Sequence, residues 1–180
     1  MLRGWTHTLI PYASAWASSA ASDRVNSQRI TEITLDERTV VRRSPDVEHE
    51  RKVAIYDLLQ ENEFAPANGL EGPFHVRLGI ADGCLVFDLE DEAGKPLTRI
   101  LLVLAPFRRI IKDYFFVCDS YYDAIKTATP AKIEAIDLGR RGLHDEAAEL
   151  LQERLANSVE MDRITSRRLF TLICVLHIRG

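Results

Sequence analysis

FHVRLGIADGCLVFDLEDEAGKPLTRILLVL, residues 74–104, decides the fold. Phe74, Val76, Leu78 and Ile80 alternate with His75, Arg77 and Gly79, the period of a strand with one buried face. Asp82-Gly83 supplies the positive φ of a tight turn. Cys84–Glu90 then runs back, and a second turn around Gly94 leads into Leu97–Leu104. Connections this short join antiparallel neighbours, because a parallel return needs a crossover of a dozen residues or more. Ile100–Leu104 is apolar on both faces, which places that strand centrally or beneath helices.

Working outward, Arg29–Asp36 is rich in β-branched residues and reads as a first strand. Ser44-Pro45 marks a helix start, with Ser as N-cap, Pro at N1, and Asp46 and Glu48 favoured by the helix dipole. That helix runs to about Asn62, with Ala54, Ile55, Leu58 and Leu59 in its apolar face. Downstream, Pro106 to about Thr127 carries the stripe Phe107, Ile110, Ile111, Tyr114, Cys118, Tyr121 and Ile125. Thr129-Pro130 repeats the start signal. Ile133, Ile136, Leu143, Ala147, Leu150 and Leu151 keep one helical phase to about Asn157, so one helix or two joined at Gly139–Gly142 both fit. Asp162–His177 is a final helix, nearly all apolar after Arg168, and reads as core. The expected fold is α+β: a small antiparallel sheet of three or four strands with about four helices on one face.

At 180 residues, 46% hydrophobic and 28% charged, the chain suits one domain with one core. Residues 29–180 form that domain. Residues 1–28 read as a disordered leader or as sequence upstream of the true start, with translation beginning near Val25. The apolar stretch around Leu9 and Ile10 is too short for a secretory signal, and Arg3 and Arg24 are too few for a transit peptide. A net charge of −4 argues against nucleic acid or anionic lipid as partner. Cys84, Cys118 and Cys174 fit neither a disulfide framework nor a paired-cysteine zinc site, so free thiols in the cytoplasm are expected. No apolar run reaches the ~20 residues of a membrane span.

Phosphate loops, HExxH, the Gly-x-Ser-x-Gly elbow and EF-hand loops are all missing, and no cofactor is implied. Four looser groups could carry chemistry. Asp46, Glu48, His49, Glu50 and Arg51 open the first helix, where His49 could ligate a metal or act as a base, against a solvated acidic turn. Arg108, Arg109, Lys112 and Asp113 place cations at a helix N-terminus, where a bound anion would relieve the conflict with the dipole. Asp119 and Asp123 share a helix face and could hold a divalent cation. Asp137, Arg140, Arg141, His144 and Asp145 could form an i,i+4 network, with His144 titrating near neutrality.

Several stretches, RRSPDVEHER (42–51), APFRRIIKDYF (105–115), CDSYYDAI (118–125), IEAIDLGRRGLH (133–144) and RRLFTLICVLHIRG (167–180), resemble the signature segments of a bacterial family of uncharacterised proteins. The resemblance covers about Ile30 to Gly180. It implies a bacterial cytoplasm and carries no reaction and no catalytic residue. Two function classes stand. One is a non-catalytic regulatory or assembly module that self-associates, a homodimer in its simplest form, supported by Phe115, Phe116, Tyr121 and Tyr122. The other is an enzyme or binder of a small anionic ligand. It requires Arg51, Arg108, Arg109, Arg140, Arg141 and His144 to converge, with His49, Asp113, Asp119 and Asp123 as a further polar site.

Overall fold

The two tight turns of the meander set the sheet. In a computed structural model, which describes residues 27–36 and 45–177, Asp82 and Gly83 adopt φ of 51° and 76°, the left-handed pair of a two-residue hairpin. This hairpin joins β3 (Phe74–Ala81) to β4 (Cys84–Glu90), and the Gly94 turn joins β4 to β5 (Pro96–Val103). The preceding strand β1 (Ile30–Leu35) pairs parallel to β3, which gives the order β1-β3-β4-β5. The parallel return is possible because the connection is long. It holds α1 (Pro45–Gln60) and β2 (Phe64–Pro66), a strand that has no visible pattern in the sequence.

Asn62 fixes the start of β1. Its Oδ1 accepts the Ile30 N–H at 2.7 Å, and its Nδ2 donates to the Ile30 and Leu58 carbonyls at 2.9 Å each. The side-chain amide thus stands in for a neighbouring strand at a residue with no exposed surface. Gln28, expected in the leader, belongs to the fold: it donates to the Leu70 carbonyl and accepts the Phe64 N–H. Residues 1–26 of the expected leader, like Asp46, Glu48 and Glu50 as side chains, lie outside the described residues.

After β5, a 3-10 turn (Ala105–Phe107) enters α2 (Arg108–Thr127), followed by α3 (Pro130–Leu155), β6 (Val159–Met161) and α4 (Arg163–His177). α3 is continuous through Gly139 and Gly142, which settles the choice between one helix and two. β6 pairs antiparallel with β2. α1 packs on α4, α4 on α3, and α3 on α2, so α4 and α3 lie between the other two helices. The inner sheet face (Phe74, Val76, Leu78, Leu85, Phe87, Leu89, Ile100, Leu102) shares one core with Leu169, Phe170, Leu172, Ile173 and Leu176 of α4.

β5 departs from expectation. It is an edge strand, and its outer face is open: Leu101 is 60% and Val103 57% exposed. The apolar run was read as burial on both sides, and only the Ile100/Leu102 side is covered. The other half of the outer face carries a cross-strand charge ladder. Arg77 binds Glu90 at 2.8 Å, Arg99 binds Asp88 at 2.5 Å, and His75 lies 3.7 Å from Glu32.

Candidate functional site

Three helices bring their polar side chains together at one junction. α2 contributes Tyr114, α3 contributes Asp137, Arg140 and His144, and α4 contributes Arg167, Phe170 and Thr171. The rings of Tyr114, His144 and Phe170 meet at centroid separations of 5.4 to 5.6 Å. His144 is buried, with Nε2 3.0 Å from Thr171 Oγ1. That hydroxyl itself donates to the Arg167 carbonyl. The histidine is therefore the donor, which leaves Nδ1 as a bare lone pair, and that atom is buried with no partner.

This setting reverses the expectation for His144. Burial, and then the charges of Arg167 and Arg140, push its pKa from 6.5 down to about 4. It is neutral at pH 7. Burial likewise raises the Tyr114 hydroxyl above its ordinary range, and it raises the Cys174 thiol, which lies near Cys118. None of the three cysteines is in a disulfide; Cys174 is buried, and Cys84 and Cys118 are partly exposed.

Arg140 is held on several sides. It donates to Asp137 Oδ1 from Nε (3.0 Å) and a terminal nitrogen (2.7 Å), its charge lies near the Tyr114 hydroxyl, and it lies 5.6 Å from the Tyr121 ring centre. Arg141 binds the second Asp137 oxygen at 2.6 Å. The Arg140 hydrogen bond, with both guanidinium charges, lowers the Asp137 pKa despite partial desolvation. The expected Arg141–Asp145 pair gives way to a tertiary one: Asp145 binds Arg163 at 3.2 Å and Arg167 on α4. Arg140 and His144 do not bond each other; they meet through Tyr114.

The remaining expected residues do not join this cluster. Arg51 is half-buried on α1, with α4 and α3 between it and α2. His49 is exposed near the start of α1. Arg108 and Arg109 stand in solvent, and Arg109 reaches Asp113 only at 3.6 Å. Asp119 is exposed, and Asp123 pairs with Lys126 at 3.1 Å. Among the described residues, no group of three or more His, Cys, Asp or Glu side chains could hold a metal ion. A groove of about 490 Å³ does exist, along the paired strands β2 and β6. Gln28, Glu63, Glu160 and Asp162 line it beside Phe64 and Met161. None of the expected site residues lines it, and its acidic rim disfavours an anion.

The family model of the uncharacterised protein family UPF0262 matches residues 27–179. The chain belongs to that family. Among its relatives, a UPF0262 protein of Rhodopseudomonas palustris (strain HaA2) is 58% identical over 155 residues, covering 86% of this chain and 95% of the relative. Another from Bradyrhizobium sp. (strain BTAi1 / ATCC BAA-1182) is 60% identical over 160 residues, covering 88% and 94%. No solved structure matches. These family names state no activity, so the chemistry rests on the geometry. The junction uses its hydrogen-bonding groups to lock α2, α3 and α4 together. Sequence reasoning missed Tyr114 as a polar member and missed Ser166, whose buried hydroxyl donates to the Ala148 carbonyl at 2.6 Å. A small residue within an apolar helix is the only signal Ser166 leaves. Among the described residues, no helix is long and apolar enough to cross a membrane.

Proposed function

We propose that this protein is a non-catalytic assembly module of the bacterial cytoplasm, built to associate with itself. One observation carries the reading: large apolar side chains stand in solvent in two separate regions of the described surface. The first is the outer face of β5. The second is the far half of the α2–α3 hairpin, where Phe116 (72%), Leu138 (71%), Tyr122 and Ile125 stand exposed at several points around the two helices. Residues 130–143, more than half of α3, contain no buried residue. A long helix owes most of its stability to packing, so a half without a fully buried side chain leaves surface for a protein partner. Any regulatory role would follow from what it assembles.

The rival, a binder or enzyme acting on a small anionic ligand, loses support because its cations scatter. Arg140, Arg141 and Arg109 have carboxylate partners of their own.

Light scattering of the full chain from about 1 to 100 µM tests the reading, paired with a thermal-unfolding screen against phosphate, nucleotides, phosphosugars and divalent metals. The expected result is a species heavier than the 20.4 kDa single chain, and a flat screen. A ligand held at 1,000 times its Kd adds ~4 kcal/mol to stability, so a binder would shift the midpoint by several degrees. A monomer at every concentration with such a shift would move the protein to the rival class.

A further inference from the structure

The free edge of β5 is built to be paired. The Leu104 N–H bonds the Gly83 carbonyl on β4, and Leu102 lies opposite Leu85. Backbone direction alternates along a strand. Leu102, Ile100 and Thr98 therefore point their N–H and C=O groups at β4, and Val103, Leu101 and Arg99 point theirs away. Among the described residues no strand meets that edge.

Edge strands are normally blunted by charge, bulge or proline. Between Leu97 and Val103 the only charged residue is Arg99, and Asp88 already holds it. The outward-pointing backbone of Leu101 and Val103 coincides with their exposed side chains.

We propose that a second copy of this chain pairs with β5 through its own β5, antiparallel, about a two-fold axis at Leu101. This rests on the assembly reading and names its partner. In that register Leu101 faces the second copy's Leu101, and Arg99 exchanges hydrogen bonds with the second copy's Val103. The two meanders then join into one continuous sheet.

The ends of the strand carry matching charge. The same register runs the Asp91–Lys95 turn of each copy past the other's Ala105–Arg108 stretch. The turn presents Asp91 and Glu92 with one cation, Lys95, and the far side presents Arg108 and Lys112. Glu92, Arg108 and Lys112 are exposed and have no ion-pair partner among the described residues. A parallel pairing would bring like ends together, with Glu92 beside Glu92. The hairpin surface around Leu138 offers no unpaired backbone, which is why the edge is assigned to the second copy.

The test is amide hydrogen exchange on the full chain, read with its mass. In the dimer, the Arg99, Leu101 and Val103 amides exchange at least tenfold more slowly than in diluted monomer. Leu101→Pro removes only an outward N–H, a place where an edge strand accepts proline. It weakens the dimer at least tenfold, and Leu101→Lys, which keeps the backbone intact, does the same if the proline variant fails to fold. Glu92→Arg and Arg108→Glu each weaken the dimer, and together they restore it. Leu138→Glu leaves it intact.

A dimer indifferent to both Leu101 variants but broken by Leu138→Glu overturns the β5 pairing and leaves the assembly reading standing. Protection of the three amides in a monomer also overturns it, since this chain's own residues would then fill the edge. A monomer with fast exchange at all concentrations removes both readings.

Discussion

Replacing His144 with phenylalanine isolates the energetic consequence of burying a titratable ring among aromatic side chains. Phenylalanine keeps a ring against Tyr114 and Phe170, and Thr171 still has the Arg167 carbonyl as acceptor. The orphaned Nδ1 disappears. At pH 7 the cost is the added volume, roughly 1–3 kcal/mol of overpacking, partly offset by removing an unsatisfied buried atom. The larger effect is on pH dependence. The folded-state pKa of about 4 lies below the ordinary 6.5, so protonation favours the unfolded chain. The stability involved is fully present above pH 6.5, falls away as the pH drops to about 4, and levels off below that. At ~1.4 kcal/mol per pH decade, the gap corresponds to at most about 3 kcal/mol. Asp137, with its pKa lowered from 3.8, loses its contribution only in more acid solution, so the two windows separate. Urea unfolding of both proteins at pH 7.0, 6.0, 5.0 and 4.2 gives the comparison. The wild type should lose about 2–3 kcal/mol more than His144→Phe over this range. Equal losses in the two proteins would refute a buried, neutral His144.

Substitutions at four further positions probe the frame. Asn62→Ala leaves the Ile30 N–H and C=O without their side-chain partners and should cost about 2–4 kcal/mol in urea unfolding, with faster exchange of the β1 amides. Asn62→Asp keeps only the acceptor and should fall between. Ser166→Ala removes the hydroxyl bridge from α4 to the Ala148 carbonyl and should cost about 1 kcal/mol; a bulkier Ser166→Val should cost more, because Ser166 has no exposed surface. At Gly72 a Cβ would overlap the Ser27 carbonyl oxygen and crowd the Phe74 ring. Gly72→Ala should therefore lower stability by about 1–3 kcal/mol, whereas Gly139→Ala, with open space around it, should raise it by up to ~1 kcal/mol.

The meander was legible because alternation and the Asp82-Gly83 turn are local signals that tertiary context had no reason to override. α3 was legible for a similar reason: its apolar phase runs unbroken across two glycines that demand no special backbone angle. β2 and β6 were not. At three residues each, they are too short to show a period, and they exist because the fold sets Phe64 beside Met161. The edge position of β5 escaped because an apolar outer face reads the same whether a helix covers it or nothing does. In the polar clusters, i,i+4 spacing found Asp137–Arg141 but misassigned Asp145, which α4 claims through Arg163 and Arg167. Spacing along one helix cannot show a competitor arriving from another. The environment of His144 was hidden for the same reason, since its burial depends on Phe170 and Thr171, some 27 positions away. Asn62 gave no signal at all, because its partner is backbone.

The order in which the chain is made bears on the placement of α4. The helix that fills the space above the sheet is the last described element in sequence, and it is buried along almost its whole length, from Thr165 to Leu176. All four strands of the main sheet leave the ribosome well before it. Until α4 arrives, Phe74, Phe87, Leu89 and Leu102 have only α1–α3 to shield them, and α1 and α3 lack the neighbour that separates them. Cooperative folding must therefore wait until α4 has been made. A ribosome stalled anywhere in α3 would release a chain with strand, turn and helix signals intact and no core. Such a fragment would be a substrate for chaperones and proteases rather than a smaller working protein.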